Sequence, residues 1–171
     1  MRRWYRAGSA GMMVLAAALA GCSSKDPSPA PLCPTVGIIN GLQSFDRPAP
    51  DGSGGQGYHA AMENVDGVCR TEGNDLIIDM RIDLVVQPGP SVQGTTLELP
   101  YFIAVSLPSG DPIDRQDFVG RVAVPVGAKS AGTVESFSQR LVGLAKGAAG
   151  YEVLFGFALP EDEALRQRQG G

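Results

Sequence analysis

The strongest signal along the chain is alternation. Leu76, Ile78, Met80, Ile82, Leu84 and Val86 place an apolar side chain at every second position, with Asp79, Arg81 and Asp83 among the residues between them. Successive side chains of a strand point to opposite faces, so this run predicts a strand with one buried face and one wet face. Antiparallel sheets over a core have that character. Leu97, Leu99, Tyr101, Ile103, Val105 and Leu107 repeat the rule, alternating with Glu98, Pro100, Phe102, Ala104 and Ser106. Proline cannot donate to a ladder, so Pro100 predicts a sheet edge or a bulge. Val122, Val124 and Val126 follow the same period, as do Tyr151, Val153, Phe155, Phe157 and Leu159. Weaker versions cover 34–39, 58–70 and 133–144.

Turn residues fall where those runs need to end: Glu72–Asp75, Gln87–Pro90, Pro108–Pro112 and 127–132. Short strands punctuated in this way, without a long helical pattern, predict an all-β domain over residues 32–171. The expected architecture is an immunoglobulin-like antiparallel β-sandwich of about seven strands. A small β-barrel is the alternative. Residues 43–57, with Pro48, Pro50 and a glycine-rich run from Asp51 to Gly57, predict a long loop. Only Pro160–Arg168 has a helical character, with acids first and arginines last to suit the helix dipole, and it predicts a short C-terminal surface helix.

Residues 1–31 follow a different pattern. Arg2, Arg3 and Arg6 precede an apolar stretch, Met12–Ala20, that is well short of the ~20 residues a helix needs to cross a bilayer. A charged start followed by a short apolar run is the form of a secretory signal. The stretch ends at Leu19-Ala20-Gly21-Cys22, which resembles the lipobox of bacterial lipoproteins. That resemblance implies removal of residues 1–21 as a signal peptide and a diacylglycerol on the Cys22 thiol. It also implies a fatty acyl chain, of the palmitate class, on the new amine. One chain binds a membrane reversibly, whereas two or more anchor stably. Ser23, rather than an aspartate, follows the cysteine, and within that class this implies the outer membrane, facing the periplasm. The alternative is an unmodified Cys22 beside an ordinary cleavage site. Ser, Pro and Ala dominate 23–31, so residues 22–31 read as a lipidated cysteine with an extended tether.

The full chain carries a formal charge of −4, and loss of the three signal arginines makes the remainder more acidic still. An acidic body argues against nucleic acid as a partner and against electrostatic docking on anionic lipid. With Cys22 assigned to lipid, Cys33 and Cys69 remain, and in an oxidising periplasm they predict a disulfide. Cys33 precedes the first strand and Cys69 lies near the end of the second. In an antiparallel pair those ends are neighbours, so the bridge is expected to clamp the first strand onto its sheet. Two separate buried thiols are the alternative.

Few groups suggest chemistry. His59 is the single histidine, which excludes a histidine-rich zinc site within one chain and leaves a Ser-His-Asp triad without a nucleophile motif. Asp111, Asp114 and Asp117 are weak candidates for oxygen ligands to calcium, since the EF-hand spacing and its glycine are absent. No glycine-rich phosphate loop is present, and no cofactor is expected. Phe102 and Leu154 sit on the otherwise polar faces of well-patterned strands. They are candidates for a partner surface or groove, against simple cover by the tail helix or the long loop.

Cys33-Pro34, Gly89-Pro90, Pro100-Tyr-Phe-Ile-Ala-Val105, Asp117-Phe118 and Gly156-Phe-Ala-Leu-Pro160 together resemble uncharacterised lipoproteins of alphaproteobacteria. The resemblance spans most of the mature chain and carries over no functional residue. The expectation is a non-catalytic binding or accessory module of the cell envelope, held to the membrane by its N-terminal lipid, with another envelope protein as a candidate partner. The alternatives are an assembly factor for an outer-membrane complex and a hydrolase whose site the sequence does not reveal.

Overall fold

A computed structural model describes residues 33–50, 52 and 54–169, with side chains up to 165. The expected signal segment 1–21, the lipidation site Cys22 and the tether 22–31 lie outside the described residues. Within them run β1 (Thr35–Ile38), β2 (Ser44–Pro48), β3 (Gln56–Glu72), β4 (Asp75–Pro88), β5 (Thr95–Ser106), β6 (Pro112–Val124), β7 (Ala131–Leu141) and β8 (Glu152–Phe157). One sheet has the order β1-β8-β5-β6 and the other β2-β3-β4-β7. Every neighbouring pair is antiparallel except β1 with β8, which runs parallel. The two sheets pack face to face as a sandwich and do not close into a barrel.

The alternation carries the core. Leu76, Ile78, Ile82, Leu84 and Val86 of β4 are completely buried, facing Leu99 and Tyr101 of β5 and Phe155 and Phe157 of β8. Burying a side chain of this size contributes about 1.5–3 kcal/mol, so these two inner faces dominate stability. Glycine lets the sheets approach at one point: a Cβ on Gly120 of β6 would collide with the Leu84 side chain.

Three expectations change. The stretch 43–57 is not all loop, because Ser44–Pro48 forms β2, paired to the start of β3. Phe45, 2% exposed, anchors it edge-on against Phe157 at 4.7 Å. A five-residue strand with one deeply buried apolar residue is too short to show a period. The expected strand at Val122–Val126 begins earlier, at Pro112, so most of the presumed acidic loop is strand β6. Pro100 lies in the interior strand β5 and not at an edge. Its carbonyl accepts from Ala158, one residue past the end of β8, so its missing N–H falls where the β8 ladder has already stopped.

The tail forms α1 (Glu161–Gln169), with Glu161, Asp162 and Glu163 in its first turn. Arg47 of β2 donates one nitrogen to both carboxylate oxygens of Glu163, at 2.7 and 2.8 Å, and this fastens the helix to the sandwich. Among the described residues no helix is long and apolar enough to cross a membrane.

Cys33 and Cys69 are joined, with Cα atoms 5.9 Å apart. The bridge does not clamp two neighbours of one sheet, as expected, because β1 and β3 belong to different sheets. It ties the sheets together. The device that makes this possible is a bulge in β3. Glu63 lies opposite Asp83, but Asp66 lies opposite Arg81, so three residues of β3 advance against two of β4. Asn64 absorbs the extra residue with φ 49°, a left-handed conformation that asparagine tolerates better than most residues. Tyr58, Ala60 and Met62 face inward before the bulge, and Val65 and Cys69 after it. The inserted residue therefore turns Cys69 toward the other sheet. Val36 of β1 then sits directly over Gly67, where a Cβ would lie only 2.7 Å from its methyl.

Reduction with dithiothreitol, or the double substitution Cys33→Ser and Cys69→Ser, should lower the melting temperature by roughly 10 °C, the equivalent of about 3 to 4 kcal/mol of loop closure. An unchanged melt after verified reduction would mean that Val36 over Gly67 holds this edge by packing alone.

Candidate functional site

With β1 tied to β3, the opposite edge of the sandwich is bounded by β6 and β7, one from each sheet. Midway along these strands this edge is filled by aromatic rings. Phe118 of β6 and Phe137 of β7 meet edge to face at 5.0 Å, and Tyr101 stacks on Phe118 at 5.5 Å. Burial, reinforced by Glu135, pushes the Tyr101 hydroxyl well above the usual phenol range, so it stays neutral inside this plug.

Beyond the plug the two edges part. A cavity of about 200 Å³ opens between the sheets, floored by Met80, Ile103 and Val105 and walled by Phe118 and Phe137. It continues into an adjoining depression of about 310 Å³, reached past Val105, Asp114 and Gln139, which line both. Leu141, Leu144 and Tyr151 line its far side, and Ile113 and Val142, 52% and 78% exposed, stand at its rim. The polar groups at the mouth occupy inward positions. Residues of the same parity as Val122 and Val124 face the core, and in β6 that series continues through Gly120 and Phe118 to Gln116 and Asp114. Gln139 holds the matching position between Phe137 and Leu141 on β7. Apolar walls with a few convergent polar groups are the usual composition of a ligand site.

The lower wall is held by charge. Arg140 donates to Asp75 and to Glu72, each at 2.8 Å. The second oxygen of Asp75 accepts the Gly143 backbone N–H at 3.0 Å, and Ala145 donates to the Asn74 carbonyl. The β3–β4 turn thereby grips the loop that follows β7. The Gly143 hydrogen bond, followed by that of Arg140, lowers the Asp75 pKa below its ordinary value. The hydrogen bonds to Asp75 and then to Glu72 raise that of Arg140, which stays charged and paired where it lines the depression.

Other candidates stand apart from this cleft. His59 lies on the outer face of its sheet, with Nδ1 3.1 Å from Asp46. Asp46 is also reached by Gln56, and the pair lines none of the cavities described here. Asp111, Asp114 and Asp117 do not converge. Asp111 stays in a turn, bonded to Ser109, whereas β6 sends Asp114 inward and Asp117 outward to Arg115. Among the described residues no three His, Cys, Asp or Glu side chains gather as a metal would require. Phe102 is covered by the protein's own chain, 7% exposed, with Leu42 and Ala104 beside it and the Arg115 guanidinium 3.8 Å above its ring. Leu154 lies half-buried next to Gly37 on the same outer face. A wider depression of about 470 Å³ lies on the outer face of the other sheet, among Asp66, Asp79, Arg81, Ser136 and Ser138. It is an open dish on a wet surface and offers a ligand little enclosure. The signal that would have located the cleft is the run of inward positions Asp114 and Gln116, which becomes visible only once β6 is known to start at Pro112.

The Asp75 clamp has a defined pH dependence. A carboxylate with a lowered pKa in the folded state stabilises that state above its ordinary value of 3.8, and the contribution disappears as pH falls through the folded value. The protection factors of the Gly143 and Ala145 amides, taken against the intrinsic exchange rate at each pH, should therefore fall on acidification below about pH 4, and Asp75→Ala should show the lower protection already at neutral pH. Exchange at these amides that ignored both changes would remove Asp75 from this role.

No protein-family model, curated protein or solved structure matches this chain.

Proposed function

We propose that this protein is a lipid-anchored, non-catalytic binding module of the cell envelope, and that it takes a slender apolar ligand into the cleft between β6 and β7. The observation that carries this is the cavity floored by Met80, Ile103 and Val105, with Asp114, Gln116 and Gln139 at its mouth. Well-packed interiors leave few voids larger than a water, so an apolar opening of this size at the seam of two sheets is a notable departure. At about 200 Å³ its inner part is smaller than the roughly 300–1,000 Å³ of drug-sized sites, which favours a chain over a ring system. The envelope location rests on the lipobox-like Leu19-Ala20-Gly21-Cys22, and the oxidised Cys33–Cys69 pair is in keeping with it. The absence of catalysis rests on His59, whose pairing with Asp46 lies away from the cleft.

Titration with a hydrocarbon-tailed fluorescent probe should give saturable binding, weakened by about tenfold or more by Gln139→Trp, which fills the mouth without entering the core. Ser136→Ala, in the outer dish, should leave it unchanged. Lack of saturation in the wild type would sink the cleft as a ligand site. Turnover of a cell-wall or lipid substrate that vanished in His59→Ala would overturn the non-catalytic assignment.

A further inference from the structure

Granted the cleft as a ligand site, on which the following depends, the fold also says where that site points. Thr35 of β1 donates its backbone N–H to the Tyr151 carbonyl at 3.0 Å, and the Tyr151 side of β8 lines the cleft. Cys33, two residues before Thr35, therefore enters the domain at the end where the cleft opens. Three strand spacings of about 4.8 Å, roughly 14 Å in all, separate β1 from β6 across that sheet. From Cys22 to Cys33 the chain advances eleven residues, which reach at most about 40 Å when fully extended. The opposite end of the sandwich lies farther by the length of β4, whose 14 residues span roughly 46 Å. An anchor at Cys22 thus keeps the end that carries the cleft mouth, with exposed Ile113 and Val142 on its rim, within reach of the membrane that holds it, and the far end beyond that reach.

Charge narrows the occupant. Arg140 is paired by both Asp75 and Glu72, and the acid that lines the opening itself is Asp114, which accepts from Gln116. A net acidic mouth disfavours an anionic head and suits one that carries an ammonium. We infer that the cleft captures a single acyl chain of a zwitterionic phospholipid from the leaflet in which the protein is anchored, with the lipid amine set against Asp114.

The test uses the full lipidated chain, reconstituted in phosphatidylethanolamine–phosphatidylcholine vesicles doped with phosphatidylethanolamine that carries a photoactivatable group in one acyl chain. After irradiation, mass spectrometry locates the labelled residues. Expected are adducts on Ile103, Val105, Phe118 and Tyr151, reduced about tenfold by Gln139→Trp, a variant whose melting curve reports its folding separately. The same photolabel on phosphatidylglycerol should react several-fold less, and Asp114→Asn should erase that difference. Label confined to the tether, or spread equally to Val126 at the far end, overturns the inference. Adducts that arise instead from the protein's own acyl chains, labelled metabolically before purification, overturn the leaflet lipid as occupant. The intact mass reports acylation of Cys22 independently: an unacylated chain with a labelled cleft keeps the ligand site and overturns its membrane orientation.

Discussion

The asymmetry between the two edges of the sandwich governs everything else. A pair of stacked sheets has two seams, and each must be closed by packing, by covalent linkage or by something from outside. Here one seam is closed by the Cys33–Cys69 bridge and by Val36 seated on Gly67. The other is closed only in part, by the Phe118–Phe137 contact. Because the inner faces of β4 and β5 bury their side chains almost completely, the domain does not need the second seam for its core. That surplus is what allows an opening to persist at β6 and β7. Close-packed interiors otherwise collapse around voids, since each lost contact costs dispersion energy.

The same asymmetry organises the polar groups. Ion pairs at the lower end are short and multiply connected, with Arg140, Glu72, Asp75 and the Gly143 amide in one network. Exposed ion pairs taken singly contribute little to stability, and this network acts chiefly by fixing the position of a loop. The loop carries Leu144 and leads into Tyr151, so an electrostatic clamp on the surface sets the shape of an apolar wall. On the far side Arg47 and Glu163 do the corresponding work for α1, which helps to cover Phe102. Phe102, an apolar residue on an outward position, is thereby explained as cover for the protein's own elements.

Much of the architecture is legible in the chain because it is local. The inward face of β4 was readable residue by residue, as was that of β5, and the helical tail was visible in its charge order. β2 escaped notice because Phe45 alone anchors it, and one buried ring makes no period. The acidic run 111–117 looked like a loop because an edge strand with both faces near water shows no alternation. Its inward members, Asp114 and Gln116, were hidden for that same reason. The cysteine pairing followed from counting and from the expected compartment, but the structure places the bridge between the two sheets rather than within one. A single inserted residue at Asn64 reverses the parity of the strand that carries Cys69, and nothing in the flanking pattern announces it.

By itself, then, the sequence determined which segments extend, which of their faces turn inward, which cysteines pair and where the final helix lies. These depend on the period of the backbone and on neighbours a few residues apart. Only the tertiary structure decided that β1 runs parallel to β8, that the disulfide spans two sheets, that Pro100 sits where a ladder has ended, and that one seam stays partly open. Each of those is a relation between residues far apart in the chain, such as Thr35 with Tyr151 or Phe118 with Phe137. It is settled by how sheets stack, and the periodicity of any single strand does not record it.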